Sequence, residues 1–336
     1  MTASIAAAAA MPAYAGAAGA GISVSQENAN KYLEGYNLIN DSAPQVNTYK
    51  DSSLNLGGAR IILMRGAQLS RQLCIIVESA DGHRIVVDGG MPENASYLGS
   101  YIKAHGGKVD AWLLTHPHSD HAGALTALLN KRLNTDGYCE YADIDYGDIY
   151  YSYGPMEFYD EHETQRYRLD FIRESYQAIG TYDQSKVHYN LPGGTEFSVG
   201  DINVRIINSP YLLDASPGNN SSICYMITVG GRRLLITGDI AYEAAELLLR
   251  DHAPEEFKAD IVQVAHHGQQ AASFAFYSAV SPEIALWPSS YDIWKMRNDD
   301  FSPDQETYTP ALTYYWMKTL GVRENYCMAD GNWILD

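Results

Sequence analysis

The chain has 336 residues, 46% of them apolar, and its 41 acidic against 23 basic residues leave a net charge of −18. That length and apolar share support a sizeable core in one large domain or two small ones, and no run approaches the ~20 apolar residues of a membrane span. The charge, with no cluster of Lys and Arg, argues against a nucleic-acid partner. It favours a small, neutral or cationic substrate, or a secreted protein kept soluble by its charge.

Residues 1–20 are Ala-rich, and Ala13-Tyr14-Ala15-Gly16 has the small-x-small form of a signal-peptidase site. No Lys or Arg precedes Lys31, so the positive start of a signal peptide is missing. The segment reads as a flexible tail or as the remnant of a signal. A secreted or cell-surface location is expected, with the cytoplasm as the alternative. Residues 21–58 are polar and read as an extended lead-in, and the domain proper is expected over 59–336.

Strands are predicted at 60–65, 73–78 and 83–87, the last two joined by a tight turn at Asp81-Gly82. A helix follows at 94–105, a strand at 109–115 and a helix at 120–133. Eleven of the 26 tyrosines fall between Tyr138 and Tyr189, so 134–192 reads as a Tyr-rich insertion beside the site. Helical spacing predicts one long helix within it, over 155–179. Strands resume at 196–199, 203–207, 223–229 and 233–237, the last two paired through Gly230-Gly231. Helices at 241–250, 272–280 and 309–320 alternate with strands at 260–265 and 284–287. Strands at 325–328 and 332–335 are expected to close the chain as a hairpin around Asp330-Gly331. Two groups of strands, each flanked by helices, imply an α/β fold with two sheets face to face and helices outside. The four cysteines are far apart and form no C-x-x-C pair, so a thiolate zinc site is not expected. Cys74 and Cys224 lie in apolar runs and read as buried thiols, while Cys139 and Cys327 lie in more polar surroundings.

Residues 115–123 carry the chemistry. They read Thr-His-Pro-His-Ser-Asp-His-Ala-Gly, with three histidines and an aspartate within six positions. Imidazole and carboxylate together suit Zn, Mn, Fe or Co. An apolar strand precedes the stretch and a helix follows it, so it lies on a strand-to-helix loop held by a rigid scaffold. His116 and His118 can reach one metal, and Asp120 and His121 a second. Three weaker signals accompany the loop: Asp88-Gly89-Gly90, Gly238-Asp239 and His266-His267-Gly268. Alone, the first is a turn, the second a helix cap and the third a strand-end pair. Together, in this order, they point to a dinuclear site.

The His116-x-His118-x-Asp120-His121 pattern resembles the signature of the metallo-β-lactamase superfamily. That resemblance implies an αββα four-layer sandwich. It also implies that Asp88 supports a ligand histidine from behind, that Asp239 bridges two metals, and that one of His266 and His267 binds the second metal. His267 is taken as that ligand, leaving His266 to face substrate. Where many relatives carry a further histidine, this chain reads Gly218-Asn219-Asn220-Ser221-Ser222. This string resembles the branch holding the hydrolase domain of competence DNA-uptake proteins, to which phosphorylcholine esterases are similar. The implied cofactors are two divalent ions, zinc with manganese as alternative. The implied activity is that of a phosphodiesterase using a metal-held hydroxide, with Asp120, Asp239, Asn220 and His266 in catalytic roles. Lactone or thioester hydrolysis, or a non-catalytic module that binds cell wall or protein, are the alternatives.

Overall fold

The computed structural model describes residues 49–52, 54–66, 70–132, 141–269, 271–297 and 310–336. The Ala-rich tail, most of the lead-in, Cys139 and the start of the Tyr-rich segment lie outside the described residues.

Fifteen strands among the described residues form two sheets. The first sheet holds β1 (Tyr49–Asp51), β2 (Arg60–Leu63), β3 (Cys74–Glu78), β4 (Arg84–Asp88), β5 (Ala111–Leu113), β6 (Asp148–Tyr151), β7 (Val187–Tyr189) and β15 (Asn332–Leu335), in the order 1-15-2-3-4-5-6-7. The second holds β8 (Glu196–Val199), β9 (Ile202–Ile206), β10 (Tyr225–Val229), β11 (Arg232–Ile236), β12 (Ile261–Gln263), β13 (Ile284–Trp287) and β14 (Glu324–Cys327), in the order 14-13-12-11-10-9-8. Within them β4, β5 and β6 run parallel, as do β11 to β14.

Ten helices are described: α1 (Ala95–Ala104), α2 (Ser119–Arg132), α3 (Met156–His162), α4 (Arg166–Gly180), α5 (Pro217–Asn220), α6 (Tyr242–Asp251), α7 (Pro254–Phe257), α8 (Phe274–Val280), α9 (Tyr291–Trp294) and α10 (Pro310–Thr319). Side-chain alternation sorts the layers. Ile61 and Leu63 of β2 join Val204, Ile227 and Leu234 in a core between the sheets. Ile62, between them, points the other way, into a core that Leu98, Leu125 and Ile179 complete from α1, α2 and α4. On the far side Leu235 and Val262 meet Leu248 of α6, Phe276 of α8 and Met317 of α10. The result is the expected αββα sandwich, whose central strands are buried on both faces and so read as continuous apolar runs. Among the described residues no helix is long and apolar enough to cross a membrane.

Three expectations are corrected. The single helix over 155–179 is two, because Glu163 and Gln165 are extended. Glu163 Oε1 accepts the Gln165 amide at 2.9 Å, a local turn that competes with the helix. The Tyr-rich segment is not wholly an insertion, since β6 and β7 extend the first sheet from β5. Asp330-Gly331 is not a hairpin turn. β14 pairs with β13 in the second sheet while β15 pairs with β1 and β2 in the first, so these residues carry the chain between sheets. Gly230-Gly231 and Asp81-Gly82 do turn antiparallel hairpins, with positive φ at all three glycines.

Candidate metal centre

The named side chains gather at the carboxyl ends of the parallel strands of both sheets, the usual place for a site in such folds. β4 ends in Asp88, β5 leads into the His116–His121 loop, β11 leads to Asp239 and β12 to His266 and His267. The two sheets are tied together at this end. Ile223 N donates to Thr115 O at 2.9 Å, and Tyr225 OH donates to Leu114 O at 2.8 Å.

Asp239 lies at the middle. Its Oδ1 is 3.1 Å from His121 Nε2, and its Oδ2 is 3.2 Å from His267 Nε2 and 3.9 Å from His116 Nε2. Asp120 Oδ2 is 3.2 Å from His267 Nε2. One ligand-type atom each from Asp120, His121, Asp239 and His267 fit within 4.8 Å of one another. On the other side His116 Nε2 faces His118 Nδ1 at 3.1 Å. Each imidazole except His118 is oriented from behind. His267 Nδ1 donates to Pro288 O at 2.9 Å, and His121 Nδ1 donates to Asp88 Oδ2 at 2.7 Å. Thr115 Oγ1 donates to Asp88 Oδ2 at 2.7 Å and accepts from His116 Nδ1 at 3.1 Å. Asp88 therefore presents the Nε2 lone pairs of both His121 and His116 to the cluster, the second through Thr115.

The electrostatics call for a cation. Burial pushes the Asp120 and Asp239 carboxyls up, yet His121 and His267 beside them hold both well below the usual carboxylate range. Burial opposes protonation of His121 and His267, yet Asp239, together with Asp88 at His121 and Asp120 at His267, outweighs it and raises both. Protons thus compensate the buried carboxylates, and a divalent ion would displace them. His121 Nε2, His267 Nε2 and Asp239 Oδ1 are buried without a hydrogen-bond partner among the described residues, despite their short separations. Such buried polar atoms are costly unless something pairs with them. The donor set of imidazole and carboxylate fits Zn or Mn.

The 218–222 turn differs from expectation at one residue. Asn220 does not face the cluster. Its Oδ1 accepts from Ala241 N at 3.1 Å and Ala244 N at 3.4 Å, and its Nδ2 donates to Ala215 O at 2.6 Å. It caps α6 from a distance, the task that Asp239 would otherwise have in the chain. Asn219 takes the position toward the site. Its Nδ2 lies 3.3 Å from His266 Nε2, and its Oδ1 is buried without a partner among the described residues. Ser222 Oγ accepts the Asp239 amide at 3.1 Å, and Ser221 Oγ meets Tyr159 OH at 2.9 Å, so α3 braces this turn. His266 and His267 both have left-handed backbone, at φ 49° and φ 60°, which aims the two rings differently. His267 is fully buried and reaches the cluster, whereas His266 is partly exposed beside Asn219.

Sequence reading missed four contributors. Thr115 is one. Gln263 is another: its Oε1 accepts the Thr237 and Gly238 amides at 2.8 Å, which fixes the backbone just before Asp239. Gly218 lies against His118. Arg71 Nε stands 3.6 Å from Asp120 Oδ2. None has a local signal, because the deciding partner of each, Asp88 for Thr115, the Thr237 and Gly238 amides for Gln263, His118 for Gly218 and Asp120 for Arg71, is distant in the chain.

A four-layer sandwich with clustered histidines and aspartates at the strand ends defines a metal-dependent hydrolase scaffold. The profile of the Metallo-beta-lactamase superfamily matches residues 68–277, and the chain belongs to that superfamily. It is 26% identical over 192 residues to ComE operon protein 3 of Bacillus subtilis (strain 168). That match covers 55% of this chain and 21% of the relative, so the chain spans about a fifth of its length. It fits the competence-like branch indicated by the Asn219-Asn220 string. Among solved structures, the metallo-beta-lactamase fold protein YhfI from Bacillus subtilis aligns with a TM-score of 0.48 at 13% identity, over 82% of this chain and 99% of that one. A diphosphatase from the PhnP family aligns with a TM-score of 0.40 at 12% identity, over 73% and 92%.

Proposed function

We propose that the protein is a phosphodiesterase with two divalent ions, zinc or manganese, bridged by Asp239. The observation that carries this reading is the placement of the Asp239 carboxylate, within 3.9 Å of His116 on one side and 3.2 Å of His121 and His267 on the other. Asp120, His121 and His267 would complete one ion's shell, and His116 and His118 the other's. When bound, such ions acidify a coordinated water and polarise a phosphoryl oxygen.

The chain's own residues supply position and hydrogen bonds. Asp88 and Thr115 keep His116 and His121 in the tautomers that turn Nε2 inward. The resemblance implies a third imidazole where this chain has Asn219, and an amide in its place would leave that ion's shell weaker and more open. His266 has its basicity pushed down to about 4 by burial and stays neutral near pH 7. Its ring and the Asn219 amide would steady a charged oxygen of the substrate. An open shell with amide support suits a tetrahedral phosphodiester.

The test is hydrolysis by purified, metal-loaded protein of bis-p-nitrophenyl phosphate, p-nitrophenyl phosphorylcholine, a lactone and a cephalosporin. Preference for a diester is expected. A higher kcat/KM for the lactone would replace this reading with lactone or thioester hydrolysis.

A further inference from the structure

We propose that Arg71 receives the anionic oxygen of the substrate and makes the site selective for an anionic ester over a neutral one. This rests on the phosphodiesterase reading above and names the residue that would enforce it.

Arg71 is brought to the site by the chain entering β3. Leu73 N donates to Asp120 O at 3.0 Å, which ties this stretch to the metal loop. The Arg71 guanidinium then stands with Nε 3.6 Å from Asp120 Oδ2. That is too far for the two-pronged contact of a settled Arg–carboxylate pair, which lies near ~2.8 Å. Nε is buried and has no hydrogen-bond partner among the described residues, while the side chain as a whole is 37% exposed. Asp120 Oδ2 is already engaged 3.2 Å from His267.

The charge arrangement gives the reason for an anion. Asp120 is a candidate ligand, so a cation would sit against the same carboxylate. The Asp120 carboxylate offsets part of the repulsion between the guanidinium and such an ion, and an anionic oxygen of the substrate would offset more by joining the two cations. A phosphodiester oxygen does so, because the guanidinium fork matches phosphate geometry. A lactone or β-lactam carbonyl carries no such charge. In a chain of net charge −18, Arg71 beside the cluster supplies a local positive charge for an anion.

The experiment uses the 336-residue chain loaded with zinc, compared with Arg71→Ala and Arg71→Lys. Inorganic phosphate binding is measured by calorimetry, kcat and KM with bis-p-nitrophenyl phosphate, and zinc content by elemental analysis. Arg71→Ala should weaken phosphate binding and raise KM by about tenfold, with a smaller change in kcat and unchanged zinc. Arg71→Lys should recover part of the loss, since it keeps the charge and loses the fork. Affinity and KM within about twofold of the parent would overturn the proposal. So would zinc loss in proportion to the lost affinity, which would make Arg71 only a support for Asp120. If no phosphodiester is turned over but Arg71→Ala still weakens phosphate binding, the functional reading fails and the anion site stands.

Discussion

The imidazole of His118 presses its Nε2 against the bare α-carbon of Gly218. A Cβ at that position would lie 2.1 Å from the nitrogen. Gly218 sits in α5, where alanine is allowed by the backbone, so Gly218→Ala should act by displacing His118 and not by straining the turn. A shift of about 1 Å in a site of this kind costs on the order of 100-fold in rate. We expect kcat/KM to fall by about that factor and zinc content to drop, with the circular dichroism spectrum kept. Parent-like activity in Gly218→Ala would mean that His118 is not a ligand.

Asn219 and Asn220 are neighbours with different work, and substitution should separate them. Asn220→Ala removes the cap of α6 and leaves the Ala241 and Ala244 amides without their acceptor. It should lower stability by about 1–3 kcal/mol. Asn219→Ala should leave the melting temperature nearly unchanged and reduce turnover. Denaturant unfolding of both variants beside kinetics checks this, and the reverse pattern would reassign the pair.

Metal binding should be stepwise. On the dinuclear reading proposed above, one group of candidate ligands would be Asp120, His121, Asp239 and His267, and the other only His116, His118 and a share of Asp239. Calorimetric titration of chelator-treated protein should resolve a tight and a weak site, with activity following the weak one. Asn219→His should tighten the weak site, and Asp239→Ala should lose both ions and all hydrolysis. Two equal affinities would reject the asymmetry.

Stability should fall on the acid side partly through Glu78. Burial alone would push its carboxyl up, but the Arg84 guanidinium, at 2.7 Å, and Arg60 outweigh that and hold it below its ordinary 4.5. A depressed acid contributes stability that is complete above its unfolded value and is lost as pH falls through the folded one. Thermal melts of metal-free protein from about pH 6 down to about pH 3 should therefore fall less steeply for Glu78→Gln than for the parent. Parallel curves would show that the pair contributes nothing there.

Much of the site was legible because its strongest parts are local. His116, His118, Asp120 and His121 lie on one short loop, and their spacing needs no knowledge of the fold. Asp88, Asp239 and His267 carried weak turn signals that gained meaning only in order. The long helix over 155–179 failed because periodicity does not register one extended residue such as Glu163. The closing hairpin failed for a related reason. Alternation in β14 and β15 marks each as a strand but does not say which sheet it joins, and here they join different ones.

The sequence by itself determined the alternation of strands and helices, the two-sheet class and the candidate metal-ligand loop, since all of these follow from residue types a few positions apart. Only the tertiary structure decided which of two adjacent asparagines faces the cluster, that His267 and not His266 reaches Asp239, and that Thr115, Gln263, Gly218 and Arg71 belong to the site. Those assignments depend on partners far away in the chain. Asn220 is turned away by the α6 amides some twenty residues on, and His267 is aimed by the carbonyl of Pro288. Such partners meet only when the sheets pack, so the orientation of a side chain within its loop is a property of the packed fold.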